Sequence, residues 1–218
     1  MNKLILASGS PRRRELLSEL GYRYQAVVGD FDESTVSLED PAKGVCELAL
    51  GKARAAKEKL EKDPDLSAKV LPHGETPVYL GSDTVVVLDG TPMGKPADEA
   101  EAARMLRALS GRAHSVFTGV AVASEEESEC FFSETKVHFY ELSEELIQGY
   151  LASGEPMDKA GAYGIQGLGR VLIRAIEGDY FTVVGLPVAE TYRLLKKVGI
   201  PSRFLSENGS CAEVGTGV

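Results

Sequence analysis

The order of hydrophobic and polar residues along the chain predicts alternating strands and helices. Short continuous apolar runs indicate buried strands, and apolar residues that recur every three or four positions indicate helices with one buried face. These patterns predict strands at residues 3–7, 24–28, 78–88, 115–123, 129–140 and 169–176. They predict helices at residues 12–21, 41–61, 98–109, 143–152 and 187–198.

The segments between these elements are rich in turn-forming residues. Asp89-Gly90 is a hairpin signal, and the polar residues 62–77, which include three prolines, predict a loop. Because a hairpin at residues 115–140 interrupts a simple strand–helix–strand series, we predict an α/β fold with a mixed sheet. We expect one domain over residues 1–200 and a disordered tail at residues 201–218, which are small and polar.

Composition restricts the class of partner. Hydrophobic residues make up 43% of the 218 residues and charged residues 26%, which is ordinary for a folded globular protein. The 33 acidic and 24 basic residues give a net charge of −9. This charge disfavours binding to nucleic acid polymers or anionic membranes, but it permits a small anionic ligand held by a local basic cluster.

The cysteines, histidines and apolar segments point to a cytoplasmic protein. Three cysteines without CxxC spacing and three scattered histidines argue against a disulfide framework and against a zinc site. No segment approaches the ~18 consecutive apolar residues that a membrane span needs. The apolar run near the N-terminus is also too short for a signal peptide.

The segment Ser8-Gly-Ser-Pro-Arg-Arg-Arg stands at the start of the first predicted helix. Ser10 is suited to cap this helix and Pro11 to begin it. Free N–H groups and the positive dipole at a helix start, combined with serines and arginines, suit a phosphate group. The alternative is a capped helix whose arginines extend into solvent, but this leaves unexplained why positive charge stands where the dipole disfavours it.

Asp83 lies inside a predicted strand whose other residues are mostly apolar. A buried carboxylate needs a partner or a place at the mouth of a site, so Asp83 is either functional or a structural hydrogen-bond acceptor. Lys52 lies on a small-apolar helix face and either extends to solvent or faces a phosphate. Lys95 allows the same two interpretations in its loop. The acidic stretch that ends at Glu33 either holds a divalent ion or forms a solvated turn.

Taken in order, these segments resemble the motif series of the Maf proteins, which are nucleoside triphosphate pyrophosphatases also called septum formation inhibitors. The matching motifs are Leu6-Ala-Ser-Gly-Ser-Pro-Arg-Arg13, Gly81-Ser-Asp-Thr-Val85, Gly94-Lys-Pro96, Leu109-Ser-Gly111, Thr118-Gly-Val120, Asp158-Lys-Ala-Gly-Ala-Tyr-Gly-Ile-Gln-Gly167 and Val183-Val-Gly-Leu-Pro187. They follow the family's order between residues 3 and 195. The glycine-rich sixth motif, taken alone, predicts either tight turns or close approach of a ligand.

The resemblance implies a role for individual residues. Asp83 would be the general base that activates water, and Glu33 would assist it, with both carboxylates holding Mg²⁺ or Mn²⁺. A second group would hold the triphosphate and stabilise charge on the leaving pyrophosphate: Ser8, Arg13, Lys52 and Lys95. A third group would select the nucleobase, and its identities resemble the dTTP/UTP subfamily rather than the 7-methyl-GTP subfamily: Arg12, Thr84 and Gln166.

The resemblance also implies a Maf/ITPase-like fold, in which a strongly curved mixed sheet flanked by helices forms two lobes around a cleft. Homodimers are common among similar proteins. Two alternatives to a pyrophosphatase stay open: a nucleotide-binding regulator of cell division without catalysis, and a hydrolase of phosphate esters. Release of pyrophosphate, of orthophosphate or of neither product distinguishes the three.

Overall fold

A computed structural model describes residues 2–72, 74–125 and 127–203. Its strands are β1 (Asn2–Leu6), β2 (Tyr24–Ala26), β3 (Thr76–Leu88), β4 (Thr91–Met93), β5 (Ala113–Ala123), β6 (Ser128–Phe139) and β7 (Ile173–Glu177). Its α-helices are α1 (Pro11–Glu19), α2 (Pro41–Lys62), α3 (Pro64–Val70), α4 (Glu99–Leu109), α5 (Glu144–Ala152), α6 (Tyr180–Val184) and α7 (Val188–Lys197). Short 3-10 helices span Glu33–Thr35, Glu155–Asp158, Ala160–Ala162 and Gly167–Leu172. Within the described ranges, no helix combines the length and apolar character needed to cross a membrane.

The strands form one seven-stranded sheet in the order β2-β1-β3-β5-β6-β7, with β4 paired to β3. β1 runs parallel to β2 and to β3, and every other pairing is antiparallel. The predicted mixed α/β class is therefore confirmed. The strong curvature and the two lobes stay predictions.

One edge of β3 is shared by two strands that do not meet. β1 pairs with the first part of β3 as far as Leu80, and β4 pairs with the last part from Val86 onward. Among the described residues, no strand pairs with this edge between residues 81 and 85. The carboxyl end of the parallel strand β1 opens at the same place, which is where ligands bind in α/β sheets.

Side chains of β3 alternate between the two faces of the sheet, as the period of two requires. Leu80 belongs to the core that contains α1 and α7, and Val86 belongs to a second core that contains α4 and α5. The odd-numbered residues Tyr79, Val85 and Val87 pack on the opposite face with residues of α2. This alternation directs Asp83 toward α2 and its neighbour in sequence toward α1.

Two glycines allow α2 to lie directly on the sheet. A Cβ atom at Gly81 would stand 1.9 Å from the carbonyl oxygen of Ala49, and one at Gly119 would stand 2.2 Å from that of Val45. Non-bonded atoms do not approach this closely, so any side chain at either position would displace the helix. The glycines thereby set the distance between α2 and the strand that carries Asp83.

The structure differs from the predicted elements at several connections. The predicted loop at residues 62–77 contains α3, because Asp63 accepts a hydrogen bond from the Leu66 N–H and Pro64 occupies the first helical turn, where proline is favourable. The hairpin signal at Asp89-Gly90 is confirmed by the antiparallel pairing of β3 with the short β4, whereas α6 was not predicted. Residues 169–172 form 3-10 helix instead of strand. At the predicted tail, the Arg203 N–H donates to the Gly21 carbonyl, and residues 204–218 lie outside the described residues.

Replacing Gly119 by alanine should lower the free energy of unfolding by about 1–3 kcal/mol, because the new methyl group would overpack the contact with α2. Urea unfolding followed by circular dichroism measures this change. Gly149→Ala is the matched control, since its Cβ would meet nothing within 4 Å in the exposed part of α5. The control should gain up to about 1 kcal/mol from helix propensity. Equal stability of the two variants would contradict the proposed seating of α2.

Candidate active site

A cavity of about 870 Å³ lies at the unpaired stretch of β3. Its volume falls within the range of about 300–1,000 Å³ that small-molecule sites occupy. All of the predicted site residues except Gln166 line it: Ser8, Ser10, Arg12, Arg13, Glu33, Lys52, Asp83, Thr84 and Lys95. These residues come from five separate segments of the chain, and the fold brings them to one place.

Lys52 joins two carboxylates inside this cavity. Its ammonium group forms an ion pair with Asp83 and a second one with Glu33, where Nζ and Oε1 are 2.9 Å apart. The Lys52 side chain is 19% exposed and that of Asp83 is 12% exposed, whereas Glu33 is 57% exposed. Of the two interpretations of Lys52, the structure therefore supports the one that directs it into the site.

Arg13 closes the unpaired edge of β3. Its Nη1 donates to the Ser82 carbonyl at 2.7 Å and to the Ser8 hydroxyl at 3.3 Å, and its Nε donates to the Gly185 carbonyl at 2.8 Å. Its Nη2 donates to the Thr84 hydroxyl at 3.1 Å. These contacts use four of the five N–H groups of a guanidinium. Burial lowers the pKa of Arg13, while the nearby carboxylates oppose this shift. Arg13 thus holds protein atoms in place and leaves little capacity for phosphate.

The helix start differs in one detail from the predicted cap. Ser10 is the residue before α1, and its carbonyl accepts the first helical hydrogen bond from Arg14, but its hydroxyl caps no N–H group. Its own N–H instead donates to the Ser8 hydroxyl at 3.2 Å. Because Pro11 has no N–H, the first turn already lacks one donor. The hydroxyl of Ser10 remains in the cavity wall without a capping role.

The three residues expected to select the nucleobase occupy different positions. Arg12 and Thr84 line the cavity, whereas Gln166 lines a separate depression with Arg170 and Tyr180. The Thr84 hydroxyl accepts from Arg13 and lies 2.9 Å from that of Thr118. The Thr84 hydroxyl is therefore already hydrogen-bonded within the protein, and Gln166 does not line the cavity.

Lys159 and Asp158 line the cavity and were not assigned a role from the sequence. The Lys159 ammonium donates to the Glu155 carbonyl and to the Asp158 carboxylate. Only 10% of the Lys159 side chain is exposed. Both residues begin the glycine-rich motif, so that motif was the sequence feature that could have identified them as site residues. Its Gly161 and Gly167 have positive φ angles of 67° and 64°, which supports the interpretation of that motif as tight turns.

The cavity is cationic although the chain is anionic. Five cations and three carboxylates line it, in contrast to the net charge of −9 for the whole chain. The cations are Arg12, Arg13, Lys52, Lys95 and Lys159, and the carboxylates are Glu33, Asp83 and Asp158. A local excess of positive charge raises the concentration of anionic ligands at such a site.

The pair formed by Asp83 and Glu33 fits a hard divalent cation. Both carboxylates reach the single point that the Lys52 ammonium occupies, so they already converge on one positive charge. In the described part of the chain, no cluster of three or more His, Cys, Asp or Glu residues is arranged to hold a metal. Two carboxylates completed by phosphate oxygens are a common arrangement for Mg²⁺.

Comparison with known proteins identifies the family. The model of the family described as Maf-like protein matches residues 3–198. The chain belongs to the Maf family. It is 48% identical over 201 residues to the dTTP/UTP pyrophosphatase of Symbiobacterium thermophilum, covering 92% of this chain and 96% of the relative. The enzyme of the same name from Bacillus cytotoxicus is 46% identical, and the match covers 90% of this chain and 96% of the relative. The one from Bacillus cereus is 44% identical, and the match covers 92% of each chain.

The wall of the Maf cavity includes a buried aromatic cluster. Tyr163 lines the cavity, and its hydroxyl lies 2.7 Å from Nε2 of His114. Both rings contact Phe139 edge to face. Burial lowers the pKa of His114 to about 4, and its Nδ1 is buried without a partner among the described residues. His114 is therefore neutral at physiological pH.

Acidification should destabilise this Maf protein through His114. Because the pKa falls from 6.5 in the unfolded chain to about 4 in the fold, the unfolded state binds more protons below pH 6.5. Above pH 6.5 His114 is neutral in both states and does not lower the free energy of unfolding. As the pH falls to 4, protonation of His114 in the unfolded chain should lower the free energy of unfolding by roughly 3 kcal/mol. The difference in free energy of unfolding between wild type and His114→Gln, measured by urea titration at each pH, isolates this change from carboxylate protonation. A pH-independent difference would contradict the assignment.

Proposed function

We propose that this Maf protein hydrolyses dTTP and UTP to the nucleoside monophosphate and pyrophosphate. The observation that carries this proposal is the buried Asp83 carboxylate, paired with Lys52, inside a cavity with an excess of positive charge. A triphosphate carries about four negative charges, so positioning and charge neutralisation make up most of its catalysis. The relatives named dTTP/UTP pyrophosphatase supply the substrate class.

Asp83 is the residue that accepts a proton from the attacking water. Asp83 lies on a strand whose position is set by the close packing of α2, so its backbone needs little reorganisation when water attacks phosphorus. As the bond between the α- and β-phosphates breaks, negative charge develops on the pyrophosphate. The exposed Lys95 and the Lys52 ammonium, once it has left the two carboxylates, neutralise that charge.

Arg13 acts mainly by positioning. It holds Ser8 and the edge of β3 at fixed distances, and its charge remains beside the phosphates. Arg12 and Thr84 both line the cavity, which supports a role for each in selecting the nucleobase. Gln166 would have to contribute from its separate depression.

Asp83 and Glu33 would hold Mg²⁺ or Mn²⁺ together with phosphate oxygens. Such an ion, when bound, neutralises phosphate charge and lowers the pKa of a water molecule. Lys52 would then leave the point between the two carboxylates and extend toward the substrate. We also propose a homodimer and a cytoplasmic location, which light scattering and cell fractionation test.

Asp83→Asn should reduce release of pyrophosphate from dTTP and UTP by about 10²–10⁴-fold, because the amide cannot accept the proton. A coupled pyrophosphate assay with Mg²⁺ or Mn²⁺ across a panel of nucleotides measures the loss and the preference. Asp65→Asn, which removes an exposed carboxylate from α3, is the control and should retain full turnover.

The products distinguish this proposal from its alternatives. Wild-type protein that binds dTTP without turnover would support a nucleotide-binding regulator. Release of orthophosphate as the only phosphate product would support a phosphate-ester hydrolase. Full activity of Asp83→Asn, with an unchanged melting temperature, would show that Asp83 is not the general base.

Removal of divalent metal should abolish turnover, and Glu33→Gln should weaken metal binding by about 10-fold or more, since it removes one of two anionic ligands. Electron paramagnetic resonance of Mn²⁺, recorded with a non-hydrolysable dTTP analogue, measures binding independently of activity. The exposed Glu39→Gln is the matched control and should bind Mn²⁺ as wild type does. Identical Mn²⁺ affinity in all three proteins would contradict the assignment of Glu33.

A further inference from the structure

Two cysteines lie on elements that pack together outside the cavity. Cys46 is in the second turn of α2 and is half-buried, and Cys130 is on β6 and is exposed. Both are free thiols in the structure. Neither lines the cavity, and the proposed chemistry uses neither.

The sheet register places Cys130 on the same face of the sheet as α2. A Cβ atom at Gly119 would stand 2.8 Å from the backbone nitrogen of Cys46, so the helix touches the sheet at this residue. Gly119 pairs with Phe132, and two residues along the same strands Ala121 pairs with Cys130. Residues two apart on a strand share a face, so Cys130 points to the side of the sheet that α2 covers.

Burial raises the pKa of Cys46 to about 12, and the neighbouring Cys130 thiol adds to this shift. Cys46 is therefore protonated in the resting protein, whereas exposure makes the Cys130 thiol accessible to reagents. A buried thiol next to an accessible one is the arrangement in which the second attacks first and the first resolves.

We propose that Cys46 and Cys130 form a modification site, a thiol pair that small disulfides such as oxidised glutathione convert into an intramolecular disulfide between α2 and β6. The Cys130 thiolate attacks one sulfur of the reagent, whose disulfide bond breaks and releases one glutathione thiolate. Cys46 gives its proton to the released glutathione thiolate and attacks the Cys130 sulfur. The second glutathione leaves as a thiolate, which takes up a proton from water. The two cysteines lose two electrons, and the reagent gains them as two thiols.

The crosslink would tie the helix that carries Lys52 to the sheet. The joined residues are far apart in sequence, so closing the loop between them restricts the unfolded chain strongly. The folded state already holds the two elements in contact at Gly119. Oxidation should therefore stabilise the fold without rearranging it.

The experiment uses the full chain with Cys211→Ser, so that only two thiols remain. The protein is incubated with oxidised glutathione, remaining thiols are alkylated, and the unreduced protein is digested for mass spectrometry. We expect a crosslinked peptide pair containing Cys46 and Cys130. Adding Cys46→Ser should leave a stable glutathione adduct on Cys130, and adding Cys130→Ser should leave Cys46 free for alkylation.

A stable adduct on Cys130 while Cys46 stays reduced, or a disulfide between two chains, would overturn the proposal. Thermal unfolding provides a second readout, and the oxidised protein should melt about 5–15 °C above the reduced one. The Cys46→Ser protein should show no such rise after the same treatment. A crosslinked protein that melts at or below the reduced temperature would show that the thiols do not already lie at disulfide distance.

Discussion

The unpaired stretch of β3 is the constraint on which the rest of the site depends. A backbone edge left between β1 and β4 exposes carbonyl groups that need donors, and the Ser82 carbonyl is satisfied by Arg13. The same guanidinium binds the Gly185 carbonyl, which ties the end of α6 to the start of α1. An edge closed by a side chain instead of a strand leaves space beside it, and that space is the cavity.

The alternation of side chains along β3 then directs neighbouring site residues to opposite faces of the sheet. Asp83 faces α2 and meets Lys52, while Thr84 faces α1 and meets Arg13. Both residues still reach the cavity, because it cuts across the edge of the strand and not across one face. Gly81 and Gly119 hold α2 close enough for the Lys52 side chain to reach Asp83. The packing of α2 on the sheet therefore determines whether the two charged residues of the site can meet.

Much of this arrangement was predictable from local sequence. The main strands and helices follow from apolar periodicity, and nine of the ten residues expected from the sequence line one cavity. The helix α3 escaped prediction because it depends on the Asp63 cap in a proline-rich segment. Asp89-Gly90 indicated a hairpin, but the short β4 exists only through its pairing with β3. Lys159 escaped because a lysine in a glycine-rich stretch carries no sign of burial until the fold covers it.

The sequence by itself determined the family, the element types and the candidate residues, since these depend on residue identity and spacing along the chain. Only the tertiary structure decided what each candidate touches. Arg13 was expected to bind phosphate, yet its donors go to carbonyls that are 69 and 172 residues away in sequence. Gln166, close in sequence to Tyr163, lies in a different depression. Such contacts depend on strand register and helix seating, which bring distant segments together and leave no trace in local pattern.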